Sequence, residues 1–225
     1  MSCRIFFVQH GETTWNVQLK LQGHSDVPLS DRGRKQAELL AQRLANMKID
    51  CLYSSDLSRA SETAEIIART HDLKVNKDPS FRELNFGYWE GLTIEEVKEK
   101  YPAELKKWWA SPLNTRIPGG EMQAEVVERT TNATKRIIAS HNDETVLVVA
   151  HGGVIRCIIA SVLGMNLNEN WRLYLDNTSM SLLEFRRWEK GILKLFNDCA
   201  HLNDRDYLRT ENIGTISTIA SKMMS

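Results

Sequence analysis

Cysteine is scarce and unpaired in this chain. Cys3, Cys51, Cys157 and Cys199 are far apart, with no short paired spacing. That pattern argues against both a disulfide framework and a cysteine-based zinc motif. Cys3, Cys51 and Cys157 lie in apolar contexts, where a free thiol acts as a small hydrophobe. Net charge is also lacking: Lys+Arg and Asp+Glu are each 29. No overall field draws the chain to nucleic acid or an acidic membrane, so any attraction for anions is local. Neither a bilayer-length apolar run nor a basic stretch leading into an apolar one is present. The expectation is a cytoplasmic protein, monomer or homodimer, without nucleic-acid or membrane partners. Repeats and low-complexity segments are missing too.

What is present is ordinary globular material. With 225 residues, 42% hydrophobic and 26% charged, the chain suits one α/β domain with a real core. We assign residues 1–203 to that domain and 204–225 to a loosely patterned C-terminal tail. Strands are expected at Cys3 to Val8, Cys51 to Ser54, Lys74 to Asn76 and Val146 to Ala150. An antiparallel pair follows, Met180 to Phe185 with Ile192 to Phe196. Helices are expected after Ser30, from Leu57 to about Thr70 with Ser55 and Asp56 as caps, from Thr93, from Glu121 to Ser140 and from Val154 to Leu163. Gly11 to Leu29 reads as irregular. Lys106 to Gly120, with two tryptophans, two prolines and a Gly-Gly, reads as a loop or lid. Alternating strands and helices predict a three-layer α/β/α fold with a mostly parallel central sheet.

The chemistry concentrates in two short stretches, Val8-Gln9-His10-Gly11-Glu12 and Val149-Ala150-His151-Gly152-Gly153. Each places a histidine at the C-terminal end of an apolar strand, where open α/β sheets bind ligands. One such histidine alone is more often structural, but two in the same context can meet over one crevice. A neutral imidazole can attack a phosphoryl group and carry it transiently, provided cationic donors stabilise the spreading charge. Arg59, in the first turn of a helix after a strand, is the best cation. Its bland alternative is a surface pairing with Glu62 or Asp56. Glu83 is the candidate acid and base, with Phe81, Phe86, Tyr88 and Trp89 able to desolvate it; its bland alternative, the stronger one on local sequence alone, is a solvated charge beside Arg82. Metal ligation is not expected, because no His-x-His or His-x-x-x-His spacing exists. No cofactor is expected either.

The blocks His10-Gly11-Glu12-Thr13, Trp15-Asn16, Gln22-Gly23, Pro28-Leu29-Ser30-Asp31-Arg32-Gly33, Tyr53 to Ala60, Thr63-Ala64, Arg82-Glu83-Leu84, Gly87, Trp89-Glu90-Gly91, Pro118-Gly119-Gly120-Glu121 and Val149 to Gly152 occur in the order found in a known family. Over about residues 3–202 the chain resembles the histidine phosphatase superfamily, the phosphoglycerate-mutase-like proteins. The resemblance implies a phosphohistidine at His10, phosphate held by Arg59 and His151, and proton transfer by Glu83. It also implies phosphate or substrate contacts from Gln9, Asn16, Gln22, Gly23 and Gly152. One position departs from the pattern: the family motif begins Arg-His-Gly, and Gln9 stands where the arginine belongs. Glutamine keeps a donor but loses the charge and the bidentate fork. Losing one such donor typically lowers a rate by roughly 10²–10³.

Mutases of the family resemble the same scaffold with a longer, more basic insertion between the positions of Glu83 and His151. Here that interval is short, and Lys106, Lys107 and Arg116 are accompanied by Trp108 and Trp109. The expected function is therefore a phosphomonoesterase acting on a small phosphorylated substrate. A phosphoglycerate mutase and a catalytically silenced phosphate-binding member are the alternatives.

Overall fold

In the computed structural model, which describes residues 2–202, every expected strand forms and all join one sheet. They are Cys3–Gln9 (β1), Cys51–Ser54 (β2), Val75–Lys77 (β3), Thr145–Ala150 (β4), Met180–Phe185 (β5) and Ile192–Asp198 (β6). The order is β3-β2-β4-β1-β5-β6. The first four run parallel, while β5 and β6 add an antiparallel edge. The 204–225 tail lies outside the described residues.

Side-chain alternation along β1 divides the core in two. Ile5 and Phe7 face one way, with Val146, Val148 and Ala150 of β4 beside them. That face is covered by Gln123–Ser140 (α6) through Val126, Ala133 and Ile137, and by Gly152–Leu163 (α7) through Val154, Ile155, Ile158 and Ile159. Phe6 and Val8 face the other way with Leu147, Val149 and Leu52. There they meet Asp31–Leu44 (α2) through Leu40, Ala41 and Leu44, and Ser58–Ala68 (α3) through Ala60, Ala64 and Ile67. The two-residue period of the strand meets the 3.6-residue period of the helices on both faces, giving three layers.

Several local expectations need correction. Gly11 to Leu29 is not wholly irregular: Thr14–Val17 forms a one-turn helix (α1). Asn16 and Thr13 cap it reciprocally, with Thr13 N donating to Asn16 Oδ1 and Asn16 N to Thr13 Oγ1. Ser55 and Asp56 do not cap α3. Leu57 occupies the cap position without a side-chain bond, and the amide of Ser58 is satisfied by Asp26 Oδ1, 2.7 Å away, from a distant loop. The segment from Lys106 is not all loop, because Pro102–Ala110 is a helix (α5) that follows Ile94–Lys100 (α4). Pro102 fits its first turn, where no amide partner is needed, and Leu105 and Trp108, three residues apart, bury together. Helix α6 starts at Gln123, two residues later than expected. Ser30 caps α2 as expected, accepting from Gly33 N at 3.0 Å.

One packing contact seats the loop after β1. Gly33 in the first turn of α2 lies against the Gly11–Glu12 backbone so closely that a Cβ there would overlap the Glu12 carbonyl oxygen. Both neighbours are main chain, so neither can swing aside. Gly33→Ala should therefore cost about 1–3 kcal/mol through overpacking, although alanine favours helix. Urea unfolding of this variant against the parent checks it; an unchanged midpoint would mean that the contact is not tight.

Candidate active site

The parallel register sets the two histidines side by side. Gln9 of β1 is opposite Ala150 of β4, and the next amide, His10 N, donates to Ala150 O at 3.0 Å. His10 and His151 follow directly from those strands, so their rings lie 5.2 Å apart, inclined at 62°. The backbone behind His10 is held by a turn the sequence reading missed. Asn177 Nδ2 donates to His10 O at 3.0 Å, and the amide of buried Thr178 reaches both Gln9 O and His10 O. Thr178 has φ +58°, a left-handed conformation that β-branched residues rarely adopt and that marks a constrained position.

Both imidazoles are buried. His10 Nδ1 lies 2.7 Å from Gly11 O. In the tautomer that donates there, Nε2 carries the lone pair. Burial, aided by the Arg59 charge, pushes the His10 pKa down to about 3; the Gly11 carbonyl opposes this weakly. His151 is pushed well below its usual value, first by burial and then by Arg59 and His10. Among the described residues neither ring nitrogen of His151 has a hydrogen-bond partner.

Arg59 is fully buried. Its NH1 donates to Ser25 O at 2.9 Å and its NH2 to Gly23 O at 2.7 Å, while its Nε is unpartnered. Burial lowers its pKa to about 10, against the attraction of Glu83, Asp26 and Glu90. It therefore stays charged at neutral pH. The bland pairings fail, because Glu62 bonds Arg34 and Asp56 forms a two-point ion pair with Arg82. Glu83 sits at the start of α7, accepting from Leu84 N at 2.9 Å and from Gly153 N at 3.1 Å. A carboxylate is favoured at that helix end. Of the aromatics expected to desolvate it, only Phe86 lines the cleft; Trp89 is in the core against Trp108, and Tyr88 points to solvent.

These groups line one cleft of about 600 Å³: Gln9, His10, Asn16, Gln22, Gly23, Arg59, Glu83 and Gly152 all border it. His151 lies directly behind, against His10. Asn16 and Gln22 are fixed through their carbonyl oxygens, Asn16 by Thr13 N and Gln22 by the Thr13 hydroxyl at 2.9 Å. Their amide donors remain for the cleft. Gln9 Oε1 is buried without a partner beside Gly152. Unmet donors at Arg59 and His151, with a helix N-terminus opposite, suit a bound anion. Among the described residues no cluster of three or more His, Cys, Asp or Glu could hold a metal.

Sequence reasoning missed Arg129 and Arg156. Arg129 fastens the Glu83 segment, donating to the carbonyls of Ser80, Arg82 and Glu83 and to the Glu121 carboxylate. Arg156 borders the cleft. It is the one charged residue of α7, Gly152–Leu163, and a lone charge in an apolar helix was a readable signal.

The model of the histidine phosphatase superfamily (branch 1) matches residues 5–198. Phosphoserine phosphatase 1 of Hydrogenobacter thermophilus is 37% identical over 201 residues, 89% of this chain and 95% of that protein. Phosphoglycerate mutase-like protein 4 of Arabidopsis thaliana is 37% identical over 209 residues, 92% of this chain and 90% of the relative. The solved structure of Bacillus stearothermophilus YhfR superposes with a TM-score of 0.83 at 31% identity, covering 89% of this chain and all of that one. A family model spanning nearly the whole described fold, and relatives above 30% identity along most of their length, settle the membership: this chain belongs to the histidine phosphatase superfamily, branch 1.

Proposed function

We propose that the protein is a phosphomonoester hydrolase that transfers the phosphoryl group of a small phosphorylated metabolite to His10 and then to water. The observation that carries this is the meeting, at the C-terminal ends of the central parallel strands, of two neutral, buried imidazoles with a buried arginine whose Nε no described residue meets. His10 Nδ1–H on Gly11 O directs the Nε2 lone pair at phosphorus, and the P–O ester bond breaks as the N–P bond forms. Arg59, His151 and the α7 N-terminus take the charge on the phosphoryl oxygens. Glu83 in its acid form gives its proton to the leaving alkoxide, and as the carboxylate left behind it takes a proton from the water that attacks the phosphohistidine, which restores the acid. One charged side chain, Arg59, acts on the phosphoryl oxygens with neutral donors. Relatives bearing phosphatase names support this reading.

The mutase reading has less support. Beyond Glu83 the cleft opens into a chamber walled by Trp108, Trp109, Trp171 and Val126, with Arg156 as its single cation. Holding a second phosphate during transfer takes more cationic donors than that.

Three outcomes are expected. Incubation with a phosphomonoester should label His10 as an acid-labile phosphoramidate, and His10→Ala should lose both label and turnover. Parental turnover in His10→Ala would sink the covalent route.

Gln9→Arg restores a charged fork beside Gly152. If Gln9 limits phosphoryl stabilisation, kcat should rise by about 10-fold or more. An equal or lower kcat would show a cleft adapted to the neutral amide.

The third outcome concerns acid stability without ligand. Unfolded, both histidines protonate near pH 6.5; folded, His10 does so only near 3 and His151 also well below 6.5. Between those values the unfolded chain binds more protons, so stability falls as pH drops through this window. His10 alone accounts for roughly 2–3 kcal/mol between about pH 7 and 4.5. Urea titrations in phosphate-free buffer should show that loss, and His10→Gln should reduce it. An identical pH slope in the variant would mean His10 is not buried neutral.

A further inference from the structure

Three arginines surround the reacting groups, and two of them are spoken for. Arg59 is held by the carbonyls of Gly23 and Ser25, and Arg129 by three carbonyls and Glu121. Arg156 is different. It lies on α7 one turn beyond Gly152, is 6% exposed, and its Nε is sealed from solvent without a partner. Among the described residues it forms no ion pair or hydrogen bond. Glu83 supplies some Coulombic relief, but its two oxygens are engaged by Leu84 N and Gly153 N. A charge left this way is costly, and native proteins rarely bury one unless a ligand completes it.

The position of Arg156 says what that ligand is. Arg156, Glu83, Phe86 and Gly153 line both the phosphate cleft and the tryptophan chamber of about 630 Å³ beside it. The guanidinium therefore stands at the junction, on the leaving-group side of Glu83. A planar fork matches one carboxylate in a two-point contact. A second phosphate would call for further cations, and none of the other chamber-lining residues carries a positive charge.

We infer that the alcohol part of the substrate bears a carboxylate a few bonds from the ester oxygen, and that Arg156 is the residue that binds it. This assignment rests on the hydrolase reading above. It adds a constraint that the phosphoryl site does not impose: the leaving alcohol is itself an anion, and the apolar chamber takes what lies beyond the carboxylate.

The test uses 3-phosphoglycerate and sn-glycerol 3-phosphate, which differ in having a carboxylate or a hydroxymethyl at one carbon. The parent should favour 3-phosphoglycerate in kcat/KM by about 10–100-fold, the range of a hydrogen-bonded charge contact. In Arg156→Met the ratio should fall towards one, and Arg156→Lys, a point charge without the fork, should lie between. Ligand-free Arg156→Met should melt no lower than the parent, because a costly unpaired charge is removed. A retained ratio in the folded Met variant, or a marked loss of its thermal stability, would overturn the assignment in favour of a structural arginine. Calorimetric binding of both compounds to His10→Ala separates recognition from chemistry. Preference in binding without turnover in the parent would sink the hydrolase reading and keep this one. Equal handling of both compounds, with turnover, would do the reverse. Far tighter binding of 2,3-bisphosphoglycerate than of 3-phosphoglycerate would reassign Arg156 to a second phosphate.

Discussion

The in-register parallel pairing of β1 with β4 is the constraint on which the rest depends. Because Gln9 faces Ala150, two segments far apart in the chain end at the same height, and each ends in a histidine. A shift of one residue would turn one of the two alternating apolar sets away from its helices. The core on both faces fixes the register, and the register fixes the separation of the imidazoles. β2 extends the same edge: Ser55 N bonds Val149 O, and the helix after it delivers Arg59. The chemistry is thus a consequence of how Phe6, Val8, Leu147 and Val149 pack on one face and Ile5, Phe7, Val146 and Val148 on the other.

The cleft works against the stability of its own fold. Two imidazoles kept neutral by burial and two arginines, Arg59 and Arg156, each with a buried Nε that no described residue meets, are groups that a purely structural core would exclude. They persist because backbone elsewhere holds them. Carbonyls of Gly23 and Ser25 clamp Arg59, and Glu90 ties that loop down through the amides of His24, Ser25 and Phe86. Arg129 holds the carbonyl of Glu83, and Asn177 that of His10. Pre-positioned donors of this kind need not reorganise when charge develops on a phosphoryl group.

The sheet, the layers and the pairing of His10 with His151 were legible because each rests on local pattern, apolar strands ending in His-Gly and helices with clear faces; Arg59 and Glu83 stood out through the order of the family blocks rather than through their own surroundings. What escaped depends on contacts distant in sequence. Asp26 capping α3 across more than thirty residues leaves no local trace, so Ser55 and Asp56 looked the better caps. α5 was hidden because prolines and tryptophans read as loop until Leu105 and Trp108 found a core to bury in. Thr178 shows no sequence sign of its left-handed backbone, which only the Gln9 and His10 carbonyls explain. Arg156 was legible in principle and was passed over as part of an apolar helix.

Gln9 follows from the same electrostatic balance. Its side chain meets Gly152 at the helix start, in a cleft already holding Arg59 and bordered by Arg156. A further cation there, beyond Arg59, Arg156 and Lys20, would repel Arg59 in surroundings where burial already draws the guanidinium pKa down to about 10. A neutral amide relieves that repulsion in the empty cleft, and gives up a fixed charge when a phosphate dianion arrives. On the proposed assignment the substrate's carboxylate, at the neighbouring chamber, has its own cation in Arg156. On the proposed reading the phosphoryl group is then met by Arg59, the two histidines, the α7 amides, the amide donors of Asn16 and Gln22, and Lys20 at the cleft wall. On the proposed assignment the second anion of the substrate and the neutral Gln9 are coupled: positive charge is divided between two sites, with Arg59 and Lys20 on the phosphate side and Arg156 at the junction with the chamber.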